Sequence, residues 1–132
     1  MQNILALDDD PAILKCISMA TKVRGYQCTT TSNFQEFFDH LQHQPVDLVL
    51  LDVCMPQKDG FEVLRTLRLE RKVPVLFVTG YAGVFTLESN ALLDLWQQEF
   101  AEGNTDILYK PFSIENLYAK IEGLIGPCEA PP

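Results

Sequence analysis

The sequence predicts a doubly wound α/β domain, a five-stranded parallel sheet with helices on both faces. Three observations predict it. Short apolar runs alternate along the chain with segments of helical periodicity. The middle runs, Val46 to Leu51 above all, are nearly continuous in apolar residues, as strands covered on both faces are. Right-handed crossovers then restrict βα units in series to a doubly wound topology.

Each element has a local reason. Ile4 to Leu7 is an apolar run ending in three aspartates, and reads as the first strand. Asp10 is a good N-cap and Pro11 suits the first turn of a helix. Ile13, Leu14, Ile17, Ala20 and Thr21 then keep helical spacing up to Gly25. Tyr26 to Thr30 reads as the second strand. Ser32 with Gln35 reads as a capping box, followed by an apolar face of Phe34, Phe37, Phe38 and Leu41. Val46 to Leu51 is the third strand, and Asp59 with Gly60 makes a turn. Phe61 to Arg71 is the third helix, with Val63, Leu64, Leu67 and Arg68 at helical offsets. Pro74 to Val78 is the fourth strand. Val84, Leu87, Ala91, Leu92, Leu95, Trp96 and Phe100 repeat at three and four and predict a long fourth helix. Asp106 to Tyr109 is the fifth strand. Ser113 caps a fifth helix whose face is Leu117, Ile121, Leu124 and Ile125.

The chain's 132 residues suit one domain, large enough to bury a core without disulfides or a structural metal. It is 47% hydrophobic and carries a formal net charge of −8. That charge argues against a nucleic-acid module, which needs a basic footprint, and against docking on anionic lipid. No apolar run is long enough to span a bilayer, and Met1 to Ile4 lacks a signal-peptide pattern. Cys16, Cys28, Cys54 and Cys128 show no CxxC spacing and read as reduced thiols of a cytoplasmic protein. Residues 127–132, rich in proline, read as a tail or linker stub.

In a doubly wound fold the site lies at the carboxyl ends of the strands. The first strand runs into Asp8, Asp9 and Asp10, the third into Asp52, the fourth into Thr79 and Gly80, and the fifth into Lys110, Pro111 and Phe112. Each residue taken alone has an ordinary reading: aspartates cap and turn, and a lysine is solvated. Asp10 and Asp59 keep that reading. The rest converge on one edge as a carboxylate cluster with one hydroxyl and one ammonium. Gathered carboxylates repel unless a proton or a cation joins them. Oxygen-only ligands suit Mg2+, which also binds phosphate oxygens. An aspartate carboxylate can act as a covalent nucleophile toward phosphorus. The inferred chemistry is Mg2+-dependent phosphoryl transfer onto Asp52.

At these residues the sequence resembles the receiver domain of two-component response regulators. The resemblance rests on Asp8 to Asp10, on Leu50 to Gly60 with its Asp-x-x-Met-Pro-x-x-Asp-Gly pattern, on Val78 to Gly80, and on Lys110 to Phe112. These pieces fall in the family's order and cover nearly the whole chain. The resemblance implies a flavodoxin-like (βα)5 fold with strand order 2-1-3-4-5 and a receiver over residues 1–126. It implies that Asp52 is the phosphoacceptor and that Asp9 and Asp52 bind Mg2+ through their carboxylates. Asp8 would act mainly through water, and Cys54 would contribute its main-chain carbonyl. Thr79 would contact the phosphoryl group, Lys110 would pair with it, and the Lys110–Pro111 bond would be cis. The donor would be a histidine kinase or histidine phosphotransfer protein. An output domain would lie outside this chain. The domain would be a signalling phosphoprotein, with self-phosphorylation and self-dephosphorylation as its only catalysis.

Two departures from the family pattern stand out. The position three residues before the lysine, usually a switch Phe or Tyr, is Ile107. This puts the usual threonine–aromatic coupling in doubt. The stretch from Thr79 to Lys110 is also longer than usual, by roughly two helical turns. Phe85, Trp96 and Phe100 fall within it, so the face of the fourth and fifth helices is a candidate partner or dimer surface. Three other functions compete. A pseudo-receiver would have lost the site residues that are present here. An aspartate-nucleophile phosphohydrolase usually needs a carboxylate two residues after the nucleophile, where this chain has Cys54. A flavin or nucleotide carrier wants bare amides after the first strand, where three aspartates would repel phosphate.

Overall fold

The computed structural model describes residues 2–52, 60–70, 72–80 and 105–126. The described strands are β1 (Asn3–Leu7), β2 (Gln27–Thr31), β3 (Leu48–Asp52), β4 (Val75–Thr79) and β5 (Thr105–Tyr109). The described helices are α1 (Pro11–Val23), α2 (Phe34–His43), α3 (Gly60–Glu70) and α4 (Ile114–Ile125). All strand pairs are parallel, in the order β2-β1-β3-β4-β5. This is the doubly wound flavodoxin-like arrangement, with order reversing at β1 and β3. The predicted fourth helix, with Phe85, Trp96 and Phe100, lies outside the described residues, as do Cys54, Asp59 and the tail.

Strand alternation divides the core between two faces. Leu5, Leu7, Val49, Leu51, Val75 and Phe77 point to one side, where α2 and α3 cover them with Phe37, Leu41, Val63, Leu64 and Leu67. Ile4, Ala6, Leu48, Leu50, Leu76 and Val78 point to the other, against Leu14 and Ile17 of α1 and Leu117 and Ile121 of α4. Every residue of β3 and β4 is buried, as expected for strands covered on both sides. Among the described residues no helix is long and apolar enough to cross a membrane.

Caps set where helices begin. The Asp10 side chain accepts from the Ala12 N–H, and Pro11 occupies the first turn of α1. Ser113 accepts from the Asn116 N–H at the start of α4. For α2 the structure corrects the expected Ser32 cap. Asn33 is the N-cap and accepts from the Glu36 N–H at 3.0 Å. Thr31 Oγ1 takes the Asn33 N–H at 3.1 Å and donates to the Glu36 carboxylate at 2.9 Å. The capping pattern therefore sits one residue later than Ser32 and Gln35 suggest. Tyr26 is likewise not in β2. It is buried ahead of the strand, with its hydroxyl 3.4 Å from the Gly126 carbonyl. Gly60 belongs to α3 rather than to a preceding turn.

Candidate functional site

Parallel pairing brings four strand ends to one edge. Asp52 is the last residue of β3 and faces Val78 across the ladder. Thr79 is the last residue of β4 and faces Tyr109, so Lys110 is the first residue past β5. The Lys110 N–H donates to the Thr79 carbonyl at 2.7 Å, extending the ladder by one step. Asp8 follows β1, and its N–H lies 3.3 Å from the Thr31 carbonyl of β2. Backbone pairing of adjacent strands thus fixes where these side chains start.

The side chains form a compact, mostly dry charge cluster. Asp8, Asp52 and Thr79 are buried, whereas Asp9 is exposed. One carboxylate oxygen from each of Asp8, Asp9 and Asp52 lies within 4.8 Å of the others. Lys110 Nζ donates to Asp8 Oδ2 at 2.9 Å and stands 3.9 Å from Asp52 Oδ2. Asp8 Oδ1 accepts the Asp10 N–H at 3.0 Å. Asp8 thus braces the loop that starts α1 with one oxygen and holds the ammonium with the other. Asp10 faces its own helix as a cap. The Lys110–Pro111 peptide bond is cis. Ile107 is half-buried and packs on the α2–α3 side of the core, below this edge.

The edge therefore gathers Asp8, Asp9, Asp52, Thr79 and Lys110. Cys54 lies outside the described residues. The contact that sequence reasoning missed is the Lys110–Asp8 pair. Its partners are 102 residues apart, and only the order of the strands brings them together.

The model of the response regulator receiver domain family matches residues 4–122. The chain belongs to that family. The receiver is 34% identical over 123 residues to the nisin biosynthesis regulatory protein NisR of Lactococcus lactis. It is 32% identical over 124 residues to the cell cycle response regulator CtrA of Brucella ovis. Both alignments cover 93% of this receiver and 50% of the relative, so the chain spans about half the length of the curated relatives it matches. Among solved structures it resembles the chemotaxis protein CheY4 of Vibrio cholerae, with a TM-score of 0.77 and 28% identity, covering 94% of this chain and 98% of the other. It also resembles the response regulator TrrA of Thermotoga maritima, solved in complex with Mg2+ and BeF. That match has a TM-score of 0.75 and 26% identity, covering 94% of this chain and 99% of the other. These findings make the chain a receiver domain of two-component systems, a family of signalling domains.

Proposed function

We propose that this receiver accepts a phosphoryl group on Asp52 from a phosphohistidine of a histidine kinase or phosphotransfer protein, in a Mg2+-dependent step. The observation that carries the reading is the convergence of the Asp8, Asp9 and Asp52 oxygens within 4.8 Å beside the Lys110 ammonium.

The donor set fits magnesium. Among the described residues it consists of carboxylate oxygens. Asp9 and Asp52 would hold the ion directly and Asp8 mainly through water, with the Cys54 carbonyl as a further ligand. When bound, the ion neutralises the carboxylates that an incoming phosphoryl group would otherwise meet. TrrA, solved with Mg2+ and BeF, is a structural relative that supports the same assignment here.

The chain's own residues supply the rest. A carboxylate oxygen of Asp52 forms the new bond to phosphorus. The bond from phosphorus to the donor nitrogen breaks, and its electron pair leaves with the donor imidazole. Lys110, already within 3.9 Å of Asp52, pairs with the phosphoryl oxygens. Thr79, at the end of the neighbouring strand, offers a hydroxyl to the same group. The aspartyl phosphate carries nearly −2 where the carboxylate carried −1, and the added charge and phosphoryl oxygens then shift the receiver between two conformations that it samples already. Ile107, packed into the core, takes the place of the usual aromatic switch side chain.

The receiver is read as residues 1–126 of a cytoplasmic regulator. NisR and CtrA are twice as long as their matched regions, which supports an output domain beyond the receiver. Intact-mass spectrometry after incubation with acetyl phosphate tests the reading. The expected result is one added phosphoryl group that requires Mg2+ and is absent in Asp52→Asn. No gain in the wild-type protein, with Mg2+ binding shown separately, would favour a pseudo-receiver.

A further inference from the structure

α1 and α4 cover the same face of the sheet and leave an open groove between them. Ala12, Cys16, Met19 and Val23 form its α1 wall, and Ile114 and Tyr118 its α4 wall. That spacing follows one helix face, so the groove runs along α1 for about 16 Å. Its volume of about 570 Å3 lies in the range of small-molecule sites. Met19 is 61% exposed and Val23 80%, so much of the apolar wall stands in water.

The rim of the groove is positive. From Pro11 to Gln35 the sequence carries Lys15, Lys22 and Arg24 and no carboxylate, in a chain of net charge −8. Arg24 is engaged by Glu122 and the Tyr118 ring. Lys15 lines the groove toward its Ala12 end. It is exposed, and among the described residues it has no hydrogen-bond or ion-pair partner. Among the described residues no carboxylate lines the groove.

We propose that this groove binds a free amphiphilic monoanion, an alkyl chain headed by one carboxylate. The head pairs with Lys15, and the chain lies over Cys16 and Met19 toward Val23. This site goes beyond the phosphoryl-transfer reading and does not depend on it.

Charge and shape select this occupant. One ammonium near one end suits a singly charged head, and the apolar run beyond it suits a chain with no further polar group. Met19, unbranched and flexible, can repack against such a chain. A second copy on this groove would bring two positive α1 walls together and join two bodies of charge −8. An anionic bilayer meets the same unfavourable net charge.

The test is titration of the full chain, labelled with 13C-methyl methionine, with octanoate below its micelle concentration. The Met19 methyl resonance is expected to shift to saturation, and octanoate is expected to slow alkylation of the half-buried Cys16. Hexanoate, shorter by two methylenes, should bind at least about fourfold more weakly. Lys15→Met keeps much of the stem and removes the charge. It should weaken octanoate binding about threefold and leave octanol binding unchanged. Met19→Glu should remove binding of both, and an unchanged urea midpoint shows that this solvent-facing substitution leaves the fold intact. A Met19 resonance that stays fixed, hexanoate binding as tightly as octanoate, or equal octanoate binding by Lys15→Met and the wild type overturns the proposal. Binding only to anionic vesicles, or self-association that Met19→Glu removes, also overturns it and assigns the groove to a bilayer or to a second copy.

Discussion

Lys110 donates to Asp8 at 2.9 Å across 102 residues of chain, joining the loop after β5 to the loop after β1. The pair flanks β3, so the edge carrying Asp52 is closed from both sides by charge. Neutralising Lys110 removes from the buried carboxylates of Asp8 and Asp52 the ammonium that lies 2.9 and 3.9 Å from them. Because Lys110 is partly exposed, the cost falls below that of a fully buried pair. Lys110→Met is expected to lose about 2 kcal/mol in chelator. Urea unfolding with and without Mg2+ checks this, and the variant should recover more stability from Mg2+ than the wild type does. Unchanged stability in chelator would mean that the pair contributes nothing.

The start of α2 gives a sharper local test. Asn33 holds the Glu36 N–H, and Thr31 holds both the Asn33 N–H and the Glu36 carboxylate. Asn33→Ala should cost about 1 kcal/mol, whereas Ser32→Ala should cost close to nothing. Chemical denaturation of the two variants separates them. The reverse ranking would restore the Ser32 cap.

Cys28 on β2 carries a pH signature. Burial pushes its thiol above the usual range, partly offset by a hydrogen bond with the Thr21 side chain and by the Lys22 charge. A pKa raised on folding contributes stability that is fully present below the unfolded value and lost as pH rises through the folded one. Alkylation of native Cys28 should therefore begin at higher pH than alkylation of the same residue in urea. Peptide mapping after iodoacetamide across a pH series reads the two onsets. Coincident onsets would contradict the burial argument.

The end of α1 is clasped to α4. Arg24 lies over the Tyr118 ring at 4.0 Å and reaches Glu122 at 3.3 Å, while the Tyr118 hydroxyl donates to the Ala20 carbonyl at 2.7 Å. Tyr118→Phe should cost about 1 kcal/mol by removing that hydrogen bond. Arg24→Ala should cost a similar amount, about 1 kcal/mol, mostly through the lost ring contact, since its ion pair is exposed. A double-mutant cycle in urea that pairs Arg24→Ala with Tyr118→Leu, which removes the ring, should show the two positions coupled. Strict additivity would show that the stacking contact carries no energy.

Most of the frame was legible because it depends on local patterns. Unbroken apolar runs marked β3 and β4, and helical spacing marked Leu14 and Ile17 on α1. The strand-end rule pointed to Asp8, Asp9, Asp52, Thr79 and Lys110 before any contact was known. The cap of α2 was misplaced because Ser32 and Asn33 are both good caps. The choice fell to Thr31, whose side chain sits where it can hold Asn33 and Glu36 together. Tyr26 looked like strand residue, but its hydroxyl finds Gly126, a partner 100 residues away. The Lys110–Asp8 pair was hidden for the same reason: charge pairing between strand ends needs the sheet order, not the spacing.

The most direct test of the central claim is to trap the phosphorylated residue chemically. After treatment with acetyl phosphate and Mg2+, borohydride reduction converts an aspartyl phosphate to homoserine, which peptide mass mapping locates. The account predicts homoserine at position 52, formed only when Mg2+ is present. Homoserine at another aspartate, or a phosphoryl group that resists reduction on a serine, threonine or histidine, would contradict it.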